Sequence, residues 1–130
     1  MIQKEKRMPK ILLVDDDENI LGLISTLLEI EGHQPVKLSR GNQINDVIQQ
    51  ISREMPELIL LDVHLQNMDG IELLRKIKES KKISKIPILM SSGMALDEEC
   101  RKSGADGFII KPYMPEELIQ KINQMIGGSL

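Results

Sequence analysis

The feature that most constrains the fold of this chain is a fivefold alternation between short apolar runs and segments with helical spacing of apolar residues. Most of the runs are continuous in Val, Ile and Leu, which is typical of strands buried on both faces. Between them, apolar residues recur every three or four positions, as on one face of an amphipathic helix. Strands that alternate with helices in this way form a parallel sheet covered on both sides. The pattern therefore predicts a (βα)5 fold of the α/β class.

The boundaries follow from the same pattern. Strands are predicted at Lys10–Val14, Gln34–Leu38, Glu57–Leu61, Pro87–Met90 and Gly107–Ile110, the second being the weakest. Helices are predicted at Glu18–Glu31, Asn42–Arg53, Ile71–Lys78, Asp97–Ser103 and Glu116–Ile126. Asp17 suits the N-cap of the first helix, Gly32 suits its end, and Pro115 suits the first turn of the last helix. We expect a doubly wound, flavodoxin-like three-layer sandwich with strand order 2-1-3-4-5.

Composition excludes several classes of protein. Seventeen basic and twenty acidic side chains give a net charge of −3, which argues against a direct nucleic-acid binder. Cys100 is the only cysteine, so no intrachain disulfide can form and a reducing, cytoplasmic location is expected. The longest apolar runs are far too short to span a membrane. Residues 1–8 are polar and basic, lack the apolar stretch of a secretory signal, and are expected to form a flexible tail.

Polar residues follow four of the five predicted strands. Three aspartates, Asp15–Asp17, follow the first strand, and single residues or pairs follow the third, fourth and fifth: Asp62, Ser91 with Ser92, and Lys111. The carboxyl ends of parallel strands share one edge of the sheet, where ligands bind in open α/β sheets. Converging carboxylates repel one another, and a hard divalent cation such as Mg²⁺ relieves that repulsion. An ammonium and a hydroxyl opposite the metal would suit a phosphate-like dianion. The residues therefore indicate a metal-assisted phosphoryl site with a carboxylate as nucleophile.

Four segments resemble, in order and at near-normal spacing, the signature blocks of response-regulator receiver domains. They are ILLVDDDENI (11–20), PELILLDVHLQNMDGIELL (56–74), ILMSSG (88–93) and GADGFIIKPY (104–113). The resemblance covers residues 9–127, which we expect to be one receiver domain with no output domain in this chain.

The resemblance implies a role for each matched residue. The phosphoacceptor matches Asp62, and the metal ligands match Asp15 (through water), Asp16, Asp62 and the backbone carbonyl of His64. The cofactor would be Mg²⁺ or Mn²⁺. Ser92, Gly93 and Lys111 match the phosphate-binding groups, Ser92 and Phe108 match the switch pair, and Lys111–Pro112 matches a peptide bond that is often cis in such domains.

The resemblance also implies partners. The phosphoryl group would come from a sensor histidine kinase or a histidine phosphotransfer protein, and the domain would catalyse only its own phosphorylation and dephosphorylation. Movement of Ser92 toward the phosphate would let Phe108 turn inward and change the face built from helix 4, strand 5 and helix 5. A downstream protein would read that face, and the chain would be a monomer or weak dimer without membrane or nucleic-acid contacts of its own.

Three departures from the family pattern bear on these expectations. Gln66 stands where the family usually has proline, so a looser loop after Asp62 is expected. His64 occupies a side-chain position that, in the family, tunes the lifetime of the phosphorylated state. The segment between Ser92 and Lys111 is shorter than usual by about three residues, close to one helical turn, so helix 4 or the loop before it must be trimmed.

Three other functions remain as alternatives. A pseudo-receiver would bind partners without phosphorylation, and the shortened region before Lys111 is the feature that favours it. A phosphatase of the haloacid-dehalogenase type would need its nucleophile after strand 1 in an Asp-x-Asp arrangement, which Asp15 and Asp17 match weakly, and usually a longer chain. A flavin-binding module would need a Gly/Ser/Thr-rich phosphate loop where this chain has three aspartates.

Overall fold

The computed structural model describes residues 8–38 and 43–127, and within them five strands alternate with five helices. The strands are β1 (Lys10–Val14), β2 (Gln34–Lys37), β3 (Leu58–Asp62), β4 (Ile88–Ser92) and β5 (Gly107–Ile110). The helices are α1 (Glu18–Ile30), α2 (Ile44–Glu54), α3 (Gly70–Glu79), α4 (Asp97–Lys102) and α5 (Pro115–Gly127). Residues 1–7 of the predicted tail and Asn42, the predicted start of the second helix, lie outside the described residues.

The strands form one parallel sheet in the order β2-β1-β3-β4-β5. The register runs across the centre from Leu13 to Leu60 and on to Leu89 and Gly107. The predicted fold class and strand order are both confirmed. β3 lies in the middle of the sheet, so its last residue lies between the ends of β1 and β4.

Successive side chains of each strand enter opposite faces of the sheet, which gives the molecule two separate cores. Alternate strand residues on one face pack with α2, α3 and α4: Leu12, Val14, Ile59, Leu61, Ile88 and Met90. Their neighbours on the other face pack with α1 and α5: Ile11, Leu13, Leu58, Leu60, Leu89 and Ile109. Both faces are apolar because both are covered, which is why the strands read as continuous hydrophobic runs.

The polar residues expected just after β3 and β4 lie instead at the ends of these strands. Asp62 is the last residue of β3 and is in register with Ser91, and Ser92 is in register with Ile110. Pairing extends this far because the Val63 N–H donates to the Ser91 carbonyl at 2.9 Å. The correction is one of boundaries only, since these residues still lie at the predicted edge of the sheet.

The helix ends follow local chemistry in most cases. The Asp17 carboxylate accepts from the N–H groups of Asn19 and Ile20 at the start of α1, and Asp69 accepts from the Ile71 N–H at the start of α3. Gly32, after α1, has a φ of +87°, as predicted for a helix stop. With six residues, α4 is the shortest helix among those described, in agreement with the expected trimming of this region.

Candidate functional site

Three charged side chains meet at the carboxyl edge of the sheet. Lys111 follows β5, and its Nζ lies 3.0 Å from Asp15 Oδ2 and 3.1 Å from Asp62 Oδ2. The carboxylates are 11% and 10% exposed and the lysine 22%, so all three are largely withdrawn from water. The structure thus joins residues 15, 62 and 111, which are far apart in sequence, in one ion-paired cluster.

Backbone N–H groups donate hydrogen bonds to the carboxylates at this edge of the sheet. The Asp17 N–H donates to Asp15 Oδ1 at 2.9 Å, and the His64 N–H donates to Asp62 Oδ1 at 3.2 Å. The Asp16 carboxylate is exposed and accepts through Oδ2 from the Gln66 N–H in the loop between β3 and α3. Each of the three acidic side chains is therefore restrained by a main-chain donor.

Asp17 belongs to the helix rather than to this cluster. Its Oδ1 accepts from the Asn19 N–H at 3.0 Å and the Ile20 N–H at 3.3 Å, both in the first turn of α1. This capping role occupies the second carboxylate of the Asp15-x-Asp17 pair. The arrangement that a dehalogenase-type phosphatase would need is therefore not formed, and the charged partner of Asp15 is Lys111.

The environment of Asp62 opposes its negative charge. Burial raises the pKa of this carboxyl above its usual value, and the nearby charge of Asp15 raises it further. The hydrogen bond and positive charge of Lys111, with the His64 N–H, act in the opposite direction without cancelling the effect. Asp62 is thus a buried carboxylate that any positive charge placed beside it would stabilise.

The pKa values of Lys111 and Tyr113 are also shifted by their surroundings at this site. Burial alone would lower the pKa of Lys111, but the hydrogen bonds and charges of Asp15 and Asp62 outweigh it and raise the pKa. Burial, with smaller contributions from the two aspartates and despite the charge of Lys111, raises the pKa of Tyr113 to about 12. Lys111 is therefore a fixed positive charge at neutral pH.

The expected switch residues lie on the neighbouring strands β4 and β5. Ser92 is fully buried, its Oγ accepts from the Met94 N–H at 3.0 Å, and its carbonyl accepts from the Lys111 N–H at 2.8 Å. Phe108 on β5 is partly buried and packs against the core on the α3 and α4 side. Gly93 is exposed directly after β4. The Lys111–Pro112 bond is cis, as the resemblance implied.

The oxygen atoms at this edge suit a hard cation. Within the described residues, no three histidine, cysteine, aspartate or glutamate side chains come close enough to form a complete metal cage. Mg²⁺ does not require one, since it takes one or two carboxylates and keeps several waters. The side-chain donors present, Asp15, Asp16 and Asp62, are all carboxylates. Their chemistry fits Mg²⁺, with water completing the coordination.

The α4–β5–α5 face carries a shallow groove. Its lining mixes charged and apolar side chains: Asp97, Arg101, Phe108, Ile110, Glu117 and Lys121. Ile110 is 46% exposed, although it belongs to a strand. This groove lies on the face at which partner binding was expected.

Two backbone features of the site were not predicted. One is the Gln66 N–H that donates to Asp16, and the other is Gly70, which packs directly against the main chain of Asp62 and Val63. The loop that contains Gln66 is closed by the Gly70 N–H, which donates to the Val63 carbonyl at 2.9 Å. In the described part of the chain, no helix is long and apolar enough to cross a membrane.

Comparison with known proteins shows the family of this chain. The model of the response regulator receiver domain family matches residues 11–123. The chain is 35% identical to the alkaline phosphatase synthesis transcriptional regulatory protein PhoP of Bacillus subtilis, covering 92% of this chain and 49% of that protein. It is 36% identical to the CpxR homolog of Haemophilus influenzae, covering 94% and 52%. The chain thus spans about half the length of the curated relatives it matches.

Solved structures share the fold. Chemotaxis protein CheY4 of Vibrio cholerae matches with a TM-score of 0.81 and 24% identity, over 92% of this chain and 99% of that one. The receiver domain of the sensor histidine kinase PA1611 of Pseudomonas aeruginosa, which has magnesium in its active-site cleft, matches with a TM-score of 0.80 and 23% identity, over 93% and 99%. The family model covers most of the chain, and the sheet order agrees with it. The chain therefore belongs to the response regulator receiver domain family, whose members act in two-component regulatory systems.

Proposed function

We propose that this chain accepts a phosphoryl group on Asp62 and changes its binding surface in response. The observation that carries the proposal is the pairing of a buried carboxylate, at the end of the central strand, with the Lys111 ammonium 3.1 Å away. The phosphoryl donor is a phosphohistidine on a sensor histidine kinase or a histidine phosphotransfer protein. The unit that performs this is one receiver domain over residues 9–127, acting in the cytoplasm as a monomer or weak dimer.

The transfer exchanges one bond for another. An oxygen of the Asp62 carboxylate attacks phosphorus, a P–O bond forms, and the P–N bond of the phosphohistidine breaks with its electron pair left on the imidazole nitrogen. The product is an acyl phosphate, and attack of water on phosphorus later returns the carboxylate and inorganic phosphate. The chain catalyses only these two reactions of its own side chain.

The residues around Asp62 have separate roles. Lys111 contributes a positive charge to the phosphoryl oxygens, and the His64 N–H holds the carboxylate in place. Asp15, through water, with Asp16, Asp62 and the His64 carbonyl would hold Mg²⁺ or Mn²⁺. The bound cation would offset the negative charge of the carboxylates and the incoming group.

Ser92 connects the site to the binding surface. Its Oγ now accepts from the Met94 N–H, and on moving toward the phosphoryl group its O–H would donate to one phosphoryl oxygen while the Gly93 N–H donates to another. Phe108 would turn toward the space that Ser92 leaves, which changes the groove between α4, β5 and α5. A downstream protein reads this groove, and the chain itself binds neither nucleic acid nor membrane.

The test is incubation of the full chain with Mg²⁺ and acetyl phosphate, followed by intact mass spectrometry. We expect a gain of about 80 Da, the mass of one phosphoryl group, which requires Mg²⁺ and is absent in Asp62→Ala. Asp17→Asn is a matched control, because this carboxylate caps α1 and takes no part in the cluster. No gain under conditions that phosphorylate another receiver domain would contradict the proposal and favour a scaffold that binds partners without phosphorylation.

A further inference from the structure

The loop between β3 and α3 reaches across the site to the acidic pair. The Gln66 N–H donates to Asp16 Oδ2, fifty positions earlier in the chain. The ends of the loop are fixed, because the Gly70 N–H donates to the Val63 carbonyl at 2.9 Å and His64 pairs with Asp69 in an antiparallel bridge. The donor is thus held in place by a closed loop rather than carried by a free segment.

The carboxylate oxygens of the site are not equally engaged. Both oxygens of Asp15 accept hydrogen bonds, from the Asp17 N–H and from Lys111. Both oxygens of Asp62 also accept, from the His64 N–H and from Lys111. Asp16 accepts only through Oδ2, and among the described residues no donor or cation reaches its Oδ1. Among these three carboxylates, Asp16 Oδ1 is therefore the oxygen with both lone pairs open to a metal ion.

We propose that the Gln66 N–H is a positioning group for Mg²⁺ binding, which fixes Asp16 by one oxygen and leaves the other for the ion. The inference rests on the proposed function and deepens it. Asp16 is exposed, so without this bond its side chain would have to be ordered when the ion binds, at a cost in conformational entropy. A hydrogen bond from the protein to a metal-ligating carboxylate orients the ligand and strengthens metal binding.

The identity of residue 66 decides whether this bond exists. Proline has no backbone N–H, so a chain with proline here could not make it. Glutamine, or any other residue, supplies the donor from its main chain, and the side chain of Gln66 is exposed. The proposal therefore predicts that changing the side chain matters little, whereas removing the N–H matters a great deal.

Isothermal titration of the full chain with MgCl₂ tests this. We expect Gln66→Pro to weaken Mg²⁺ binding about tenfold, the low end of the effect of losing a group that orients a metal ligand. Gln66→Ala retains the donor and is expected to bind within about twofold of the wild type. Equal or tighter binding by Gln66→Pro, or the same loss in Gln66→Ala, would overturn the proposal.

A second measurement does not depend on proline being tolerated. In the wild type, the Gln66 amide proton should exchange slowly with solvent and resonate downfield, and Asp16→Ala should shift it upfield and speed its exchange. An amide unaffected by Asp16→Ala would overturn the inference. A wild type that binds Mg²⁺ and is phosphorylated on Asp62 but shows no proline effect would contradict this inference alone. A wild type that does neither would contradict the proposed function as well.

Discussion

Gly70 shows how little space separates Asp62 from the helix that follows it. A Cβ at position 70 would lie 2.2 Å from the carbonyl oxygen of Asp62 and 2.8 Å from the Cα of Val63. Both neighbours are backbone atoms, so no side chain could move aside to relieve the contact. A glycine is needed for α3 to begin directly against the end of β3.

We therefore expect Gly70→Ala to lower the free energy of unfolding by about 2 kcal/mol, the usual cost of overpacking a rigid site. It should also slow the proposed phosphorylation of Asp62, because the main chain that carries this side chain must shift. Urea denaturation monitored by circular dichroism measures the first effect, and timed mass spectrometry with acetyl phosphate measures the second.

Gly22→Ala is the matched control for this substitution. Gly22 lies inside α1, and an added Cβ would meet nothing within 4 Å. Alanine there should raise stability by about 0.5–1 kcal/mol, since it loses less backbone entropy than glycine on folding. A Gly70→Ala variant as stable as the wild type would contradict the close approach described for β3 and α3.

Asp62 carries a charge that its surroundings disfavour. A pKa above the usual value means that the folded chain binds more protons than the unfolded chain between the two pKa values. The stability that Asp62 contributes is therefore fully present below the unfolded pKa and is lost as the pH rises through the folded one. In the absence of Mg²⁺, Asp62→Asn should raise the melting temperature at pH 7 by a few °C.

The same variant predicts a pH dependence. As the pH falls through the folded pKa of Asp62, the wild-type carboxyl becomes neutral and the advantage of Asp62→Asn should shrink. Melting curves of both proteins in EDTA, from pH 7 downward, measure the difference. The difference in melting temperature could instead widen as the pH falls, or Asp62→Asn could be less stable than the wild type at pH 7. Either result would mean that Lys111 over-compensates the charge of Asp62.

At the scale of single residues, the sequence predicted which side chains meet at the site, but it did not predict the main-chain groups that contact them. Asp15, Asp62 and Lys111 could be placed together because parallel strands end at one edge, so that polar residues near the strand ends must converge. The Gln66 N–H could not be predicted, because every residue except proline has one and its direction depends on the loop. The same is true of the contact of Gly70 with the Asp62 carbonyl, which depends on how α3 approaches β3.

Among the elements, α2 ends in a conformation that its sequence does not favour. Its C-cap residue, Met55, has a φ of +44° and lies in the left-handed region, where a side chain with a Cβ is strained. Asp17 and Gly32 are residue types with a known preference for helix ends, and the sequence predicted those two ends. Methionine has no such preference, and Met55 takes this conformation because the chain must turn into β3.

Met55→Gly should therefore raise the free energy of unfolding by about 0.5–1 kcal/mol, the strain relieved less the entropy that glycine loses on folding. Met55 is 48% exposed, so little apolar burial is given up. Met55→Ala keeps the Cβ and serves as the control, with no gain expected. Urea denaturation of the three proteins measures the difference, and an equal gain in the alanine variant would point to the lost methionine side chain instead.

The end of α3 is held by an interaction that sequence spacing could not indicate. Lys78 donates to Asp106 Oδ2 at 2.8 Å and to the Ser84 and Ile86 carbonyls at 3.3 Å. Asp106 also accepts from the Ile88 N–H at 2.9 Å. The partners come from α3, the turn between α3 and β4, β4 itself and the turn before β5, so the meeting of Lys78 with Asp106 depends on the sheet order rather than on a local pattern.

At the scale of the whole molecule, the sheet explains which features of the fold could be predicted from the sequence. Each central strand supplies alternate residues to two cores, so strand assignment, helix placement and layer number all follow from one hydrophobic pattern. The second strand was the weakest prediction, and β2 lies at the edge of the sheet, where its two middle residues are only partly buried. The hydrophobic pattern predicts a strand less clearly where the residues of that strand are less completely buried.

The same topology would make the proposed metal binding a property of the folded chain alone. Asp15 and Asp16 are separated from Asp62 by more than forty positions, and only the pairing of β1 with β3 brings them together. An ion that binds this arrangement does not bind the unfolded chain with comparable affinity, so it must stabilise the fold. At ten times its dissociation constant, Mg²⁺ should add about 1.4 kcal/mol to the free energy of unfolding.

Melting curves at increasing MgCl₂ measure this, and a rise of a few °C is expected, reversed by EDTA. NaCl at equal ionic strength controls for screening of the acidic cluster, which would relieve the repulsion between Asp15 and Asp62 without specific binding. Asp16→Ala should lose most of the rise due to Mg²⁺ while keeping the response to NaCl. If Mg²⁺ and NaCl act alike, or if Asp16→Ala responds as the wild type does, then the cation is not held by the strand-end carboxylates. The positive charge required at Asp62 would then have to come from Lys111 alone.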